Sequence, residues 1–418
     1  MGLFIFDFIK LLILNKIIKS YLQLEKHIIL MIKAEFFIQL IGASFFLILN
    51  IYLAKKGFSD PEIANYISYR FLAVMLLAFP LGFHIKNKPL KPFFMVGSLG
   101  VPLVAIFLVL AVENTCYNYL PSLFILWGIA FTLFQVSSLP YIMRNTVAKN
   151  QSHAISLNYA THSFGTIISG IIIFGFGNFM KEINEGIILL FIAFLGFSGT
   201  YYLLKMKADM VVPFKKEFKF RDYDWALLLK AIIPTLIIAV GAGLTIPFVN
   251  LFFYHNFKID SSGFAVIGGI SSILVAFLAL LVPNIKDKLG FKKGITYTQT
   301  TAVIALVALA TTEFFSNYWW AFPVAVLCFW IRTPLMNMAA PMTSELTMNY
   351  VRKKNQEMLS AITAAIWSGS WFFSSQIFRY LKAEGLAYAY IFYITAVLYS
   401  FGIFMYYLLI RDYEKRSK

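Results

Sequence analysis

A chain of 418 residues with 60% hydrophobic, 18% aromatic and only 13% charged positions, and a mean hydropathy of +0.74, is not a soluble globular protein, in which about a quarter of residues are charged. The formal charge of +16 is explained by the positive-inside rule without nucleic acid, and no nucleic-acid partner is expected. Two cysteines, Cys116 and Cys328, and scattered histidines without HxxxH spacing argue against a disulfide framework, a metal site, a cofactor and a metal-dependent membrane enzyme.

The segment 1–33 contains IKLLILNKIIKSYLQLEKHIILMIK, apolar with Lys10, Lys16, Lys19 and Lys26 interspersed. That pattern suits an amphipathic helix in the inner headgroup plane, with membrane lipids as its partners. It shows neither the uninterrupted core nor the cleavage site of a signal peptide, and MGLFIF lacks the Ser or Thr of a myristoylation site. Met31 is an alternative start.

Twelve spans follow, at roughly 34–54, 61–84, 91–113, 119–143, 153–177, 186–206, 225–254, 261–284, 292–313, 317–343, 357–381 and 386–411. Segments of about 20 apolar residues cross a bilayer as helices, and the short alternating segments of a β-barrel are absent. The stretch KMKADMVVPFKKEFKFRDYD divides the chain into an N-terminal six-helix bundle (34–206), a linker (207–224), a C-terminal six-helix bundle (225–411) and a basic tail (412–418). With both termini in the cytoplasm of a cell with an inner membrane, the outer connections hold only Lys55, Lys56, Lys181, Lys258 and Lys382. Most other basic residues are then cytoplasmic, as the positive-inside rule requires.

The halves repeat. GASFFLILNIYL from Gly42 aligns with GAGLTIPFVNLFF from Gly241, IKNK at 85–88 with IKDK at 285–288, and KNQ at 149–151 with KNQ at 354–356. Asn50 and Asn250 occupy equivalent positions, and Asp60 and Asp260 both precede a span, where a carboxylate caps free N–H groups. This is a tandem duplication of a six-helix unit. PNIKDKLGFKKGI resembles the signature between the second and third helices of each half in major facilitator superfamily transporters. Ile285, Asp287, Lys288, Gly290, Lys292 and Lys293 fill that pattern, Pro283 replaces the usual Gly, and the first copy has Asn87 in place of Asp. FWIRTPLMNMAAPMTSEL from Phe329 is similar to the tenth helix of uncharacterised bacterial members, and the resemblance covers about 31–411. It implies an all-α polytopic fold of two pseudo-symmetric six-helix bundles. It also implies a conformational latch at Asp287, Lys288 and Gly290, and a cavity lined by spans one, four, seven and ten.

Ionisable residues within spans cost about 2.5–3.5 kcal/mol on insertion scales and ask for a reason. Arg70 lies in span two, and Arg332 is expected past the middle of span ten toward the cytoplasm. Guanidiniums in opposite halves point to an anionic solute; the alternative for each is a structural pairing, with Glu62 the nearest carboxylate to Arg70 along the chain. Asn50, Gln135, Asn250 and Asn337, with Trp367 and Trp371, complete an expected substrate site. Glu35, Glu62 and His162 are candidates for coupling to a proton or another ion. The reading is a monomeric secondary transporter of a small organic solute, anionic or amphipathic, and not an enzyme. The alternatives are a drug/proton-type efflux pump, or a transporter-derived receptor that binds solute without moving it.

Overall fold

A computed structural model describes residues 24–85, 88–179, 184–206 and 223–417. The expected interfacial segment up to residue 23 and linker residues 207–222 lie outside the described residues, as do some side chains within helices, Asp287 among them. The described chain is helical, with no strand, since a bilayer offers backbone groups no partner outside the helix itself.

The first half comprises α1 (Lys26–Lys55), α2 (Asp60–His84), α3 (Lys91–Glu113), α4 (Leu120–Asn145), α5 (Ala148–Phe179) and α6 (Glu185–Leu204). In the second half α7 (Trp225–Thr245) and α8 (Val249–Phe257) form one span, interrupted by a 3-10 turn at Ile246–Phe248. Pro247 lies in that turn, where its missing N–H breaks the helical ladder. Next, α9 (Ser261–Thr311) holds spans eight and nine, broken at Gly290, whose φ of 65° and ψ of 178° suit only glycine. Then come α10 (Ala321–Tyr350), α11 (Arg352–Ala383) and α12 (Tyr388–Ser417).

Several boundaries differ from the sequence expectation: α5 begins at Ala148 and not near 153, α10 ends at Tyr350 and not near 343, and α11 begins at Arg352 and not near 357. Helix α1 begins at Lys26 rather than near 34, because Ile28 and Met31 are fully buried and His27 Nε2 lies 2.9 Å from the carbonyl of Asn145. These residues therefore pack into the protein instead of lying on a headgroup plane. The expected tail from 412 continues α12, where Asp412 accepts from Tyr350 and pairs with Arg416 at 2.9 Å.

Ten segments among the described residues are long and apolar enough to cross a membrane. The remaining two helices, α2 and α11, carry Asn65, Ser68 and Arg70, and Ser374, Ser375, Gln376 and Arg379. They pack on each other, so this polarity meets protein instead of lipid. Gln376 donates to Ser68 at 2.5 Å and Arg379 to Asn65 at 3.2 Å.

The packing repeats with the sequence. Helix α1 lies against α5 and α6 as α7 lies against α11 and α12. Between the halves the principal contacts are α2 with α11 and α5 with the first part of α9, a pairing that a shift of six spans maps onto itself.

Candidate functional site

A cavity of about 560 Å³ lies between the two bundles, within the size range of small-molecule sites. It is walled by aromatic side chains of both halves, including Phe46, Phe71, Trp127, Phe264, Phe329 and Trp371. Arg70, Arg332, Gln135, Asn337, Trp367, Asn50 and His162 line it too, so the fold gathers most of the expected site residues around one space. Asn250 lies behind Asn50, while Glu35 and Glu62 are not on the lining. The described lining contains no Asp or Glu.

The two arginines are held differently. Gly128 lets α4 approach α2 closely, since a Cβ there would sit 2.5 Å from the Arg70 carbonyl oxygen. The approach brings the Arg70 guanidinium over Trp127, 4.3 Å from its ring centroid, and 5.2 Å from that of Phe131. It makes no ion pair among the described residues, and Glu62 is not its counter-charge. Instead Glu62 accepts from the backbone N–H and hydroxyl of Ser59 at 2.8 and 2.7 Å, a capping-box arrangement at the start of α2. Arg332, 4% exposed, donates to Tyr399 at 2.9 Å, and its buried Nε has no partner among the described residues. Because α10 runs to Tyr350, Arg332 lies in the half of its helix nearer Ala321, not past the middle as expected.

One end of the cavity is closed. Call proximal the face where α1 begins and α12 ends, and distal the opposite face. Near the distal face Asn50 Nδ2 donates to Asn250 Oδ1 at 2.9 Å and to the Pro247 carbonyl at 2.6 Å. Asn250 Nδ2 returns a bond to the Leu47 carbonyl at 3.3 Å. At 3% and 1% exposure, these residues clamp the bundles; the repeat-related pair meets itself. Further out, Asp60 of α2 receives His255 Nε2 at 2.9 Å and the Tyr388 hydroxyl, with Lys382 Nζ at 3.7 Å. Asp60 therefore bridges the halves instead of capping its helix, whereas Asp260 does cap, accepting from Gly263 N–H at 2.9 Å. Glu185 of α6 joins Lys55 and Ser261.

The lining continues from this clamp to Thr347, within a turn of the end of α10. Described cross-bundle hydrogen bonds and ion pairs lie on the distal side, so the cavity is sealed distally and extends proximally. In a double-mutant cycle, Asn50→Ala and Asn250→Ala should show a coupling of about 0.6–2 kcal/mol in favour of the distally closed state, read from single-molecule distances across the distal face. Additive effects would make the pair incidental.

Sequence reasoning missed Trp127 and Phe131 as the seat of Arg70, and Tyr399 as the partner of Arg332. An aromatic in a span carries no mark that separates it from lipid-facing neighbours. Glu35, 3% exposed, accepts from Ser138 at 2.6 Å and Gln39 at 3.0 Å, and Gln39 reaches the cavity. The turn carrying Lys288 and Gly290 is exposed on the proximal face; the side chain of Asp287 lies outside the described residues.

Twelve spans in two repeated bundles around a central cavity define a polytopic transporter fold. The chain belongs to the Major Facilitator Superfamily, whose profile matches residues 34–375. It is similar in structure to the nucleoside transporter NupG, with a TM-score of 0.70 at 13% identity over 92% of this chain and 99% of that one. The POT family transporter PepTSo gives a TM-score of 0.70 at 12% identity over 93% and 98% of the two chains. A D-xylose-proton symporter gives 0.67 at 14% over 91% and 96%. At such identities the likeness is one of fold. No curated protein matches the sequence.

Proposed function

We propose that the protein is a monomeric secondary transporter of a small, amphipathic organic anion across a bacterial-type inner membrane. In this reading the proximal face is cytoplasmic and the bundles 34–206 and 225–411 rock about the central cavity. The observation that supports it is the cavity's charge: one guanidinium from each half and no carboxylate on the described lining. Guanidiniums keep their protons, so only an anion neutralises them. Gln135, Asn337, Trp367 and Trp371 supply polar and aromatic contacts to the same solute, with Asn50 and Asn250 closing the path behind it. The turn at Asp287, Lys288 and Gly290 serves as a proximal latch.

The test is counterflow in proteoliposomes with matched anionic, neutral and cationic amphipathic solutes. Saturable exchange of anions is expected. Exchange confined to cations or neutral compounds would end the anion reading, and binding without exchange would make the protein a receptor.

For coupling, Glu35 is the favoured proton site, reached from the cavity through Gln39, with His162 facing the cavity as a second candidate. The Ser138 hydroxyl lies within hydrogen-bonding distance of both Glu35 (2.6 Å) and the Phe134 carbonyl (3.1 Å). It therefore has an alternative acceptor when the carboxylate is protonated. Glu62, held by Ser59 and away from the cavity lining, is the least favoured of the three coupling candidates. Glu35→Gln should lose stimulation by a pH gradient while retaining counterflow; unchanged gradient-driven uptake would remove Glu35 from the coupling step.

A further inference from the structure

We propose that the transported solute carries two negative charges, one met by each bundle, on an apolar or aromatic body. This rests on the anion reading above and narrows it to dicarboxylates and dianionic phosphate esters.

Arg70 is ten residues from Asp60 at the distal end of α2, and Arg332 is eleven from Ala321 at the distal end of α10. At 1.5 Å per residue both lie about 15 Å below the distal helix ends. The two cations thus face one cavity at nearly the same depth from opposite bundles. Neither has a carboxylate partner among the described residues. Arg70 spends its face on Trp127 and its neighbours, which leaves the N–H edge for a ligand. Arg332 gives one N–H to Tyr399 and keeps Nε unpaired.

A single negative charge neutralises one guanidinium and leaves the other bare in an apolar enclosure, where an unpaired charge is most costly. Two acid groups satisfy both, and each guanidinium offers the fork that carboxylate and phosphate oxygens accept. The cavity they share has aromatic walls: Phe71 meets Trp371 across the bundles, ring centroids 5.1 Å apart at 82°. That surface suits a carbon body and not a string of hydroxyls. Polar groups without partners among the described residues, Thr333 Oγ1, Ser271 Oγ and the Trp371 indole N–H, lie on the same lining. They can contribute to either acid group.

The arrangement also links binding to movement. A dianion whose charged oxygens reach Arg70 of α2 and Arg332 of α10 ties the bundles together, whereas a monoanion held by one arginine does not.

The experiment uses purified full-length protein and acids matched in body, phthalate against benzoate, succinate against butyrate, and phenyl phosphate against phenyl sulfate at neutral pH, with benzamide and benzylamine as neutral and cationic probes. Affinity is read by thermal shift at constant ionic strength. The expected result is at least about tenfold tighter apparent binding of the dianion in one or more pairs. Arg70→Gln and Arg332→Gln should each reduce it to the level of its monoanion. Arg70→Lys and Arg332→Lys, which keep the charge, should retain part of the preference, and melting without ligand checks that each variant folds. Equal binding within every pair, or a preference that survives Arg70→Gln, would overturn the two-charge proposal while leaving an anion carrier. Stabilisation by neutral or cationic probes alone, or by none of the acids, would overturn both readings.

Discussion

Arg332→Ala should abolish solute transport while the protein still inserts and folds. The substitution removes a buried guanidinium whose Nε has no described partner, so an electrostatic burden goes with it. Against that, the Tyr399 hydroxyl loses a charge-assisted bond of 2.9 Å, a loss of about 1.5–3 kcal/mol. These terms oppose each other, and the net change in folding stability should be small. Binding has no such offset. Truncating one partner of a buried, hydrogen-bonded charge pair costs about 2–5 kcal/mol, or thirtyfold to several thousandfold in affinity. Uptake into proteoliposomes, measured beside the melting temperature of the same preparation, separates the two. Wild-type uptake in the variant would sink the substrate-contact role. Arg332→Lys should fall between, because an ammonium keeps the charge and loses the planar fork.

The second large effect is expected at the distal face. Asp60→Asn should shift the protein from the distally closed toward the distally open state by roughly fivefold to a hundredfold. Asp60 sits just outside its span and answers three partners of the other bundle: His255, Lys382 and Tyr388. Burial pushes its carboxyl up. The hydrogen bonds from His255 and Tyr388, with the charges of His255 and Lys382, outweigh this and hold it below the ordinary value of 3.8. The sign follows from linkage. A carboxylate with a depressed folded value contributes stability above the ordinary value, and that contribution fades as pH falls through the depressed one. Protonation of Asp60 should therefore loosen the clamp only in strong acid, with its carboxylate contribution intact throughout the neutral range. His255 is 41% exposed at the side chain, so solvent screening favours the lower part of the range. Pulsed electron-spin distances between labels on the distal ends of α1 and α8 report the populations. Unchanged distances in Asp60→Asn would reduce the residue to a helix-end carboxylate.

Much of the fold was legible because the bilayer imposes it. Span length, the basic asymmetry and the offset repeats each carry a physical constraint that survives in a single sequence. What failed were roles decided by partners remote in the chain. Asp60 and Asp260 look alike in sequence, each just before a span. Only one caps; the other finds residues 195, 322 and 328 positions away, and no local pattern announces that. Arg332 was placed too far along its span because α10 runs from Ala321 to Tyr350, starting later and ending later than the apolar stretch 317–343 that marks it in the sequence. Helix α1 began early for the same kind of reason. Lys26 read as the end of an interfacial stripe, yet Ile28, Met31 and Ile32 beside it are buried in the protein. Asn50 and Asn250 were the instructive case. Their equivalence in the repeat was visible, but its consequence was not drawn: residues related by a two-fold and near its axis meet each other.

That meeting bears on how such a closure arises. A carboxamide has both a donor and an acceptor, so asparagine bonds to its own image, whereas two aspartates or two lysines at the axis would repel. The Asn50–Asn250 contact is isologous in the sense used for dimers, so two identical six-helix units would close on it without any divergence between them. The bridge from Asp60 to His255 and Lys382 joins unlike residues and has no such mirror: Lys55, the repeat counterpart of His255, pairs with Glu185 instead of Asp260. The distal face thus carries a symmetric lock at its centre, made by one residue type and its repeat image, and an asymmetric one at its rim, made by unlike residues.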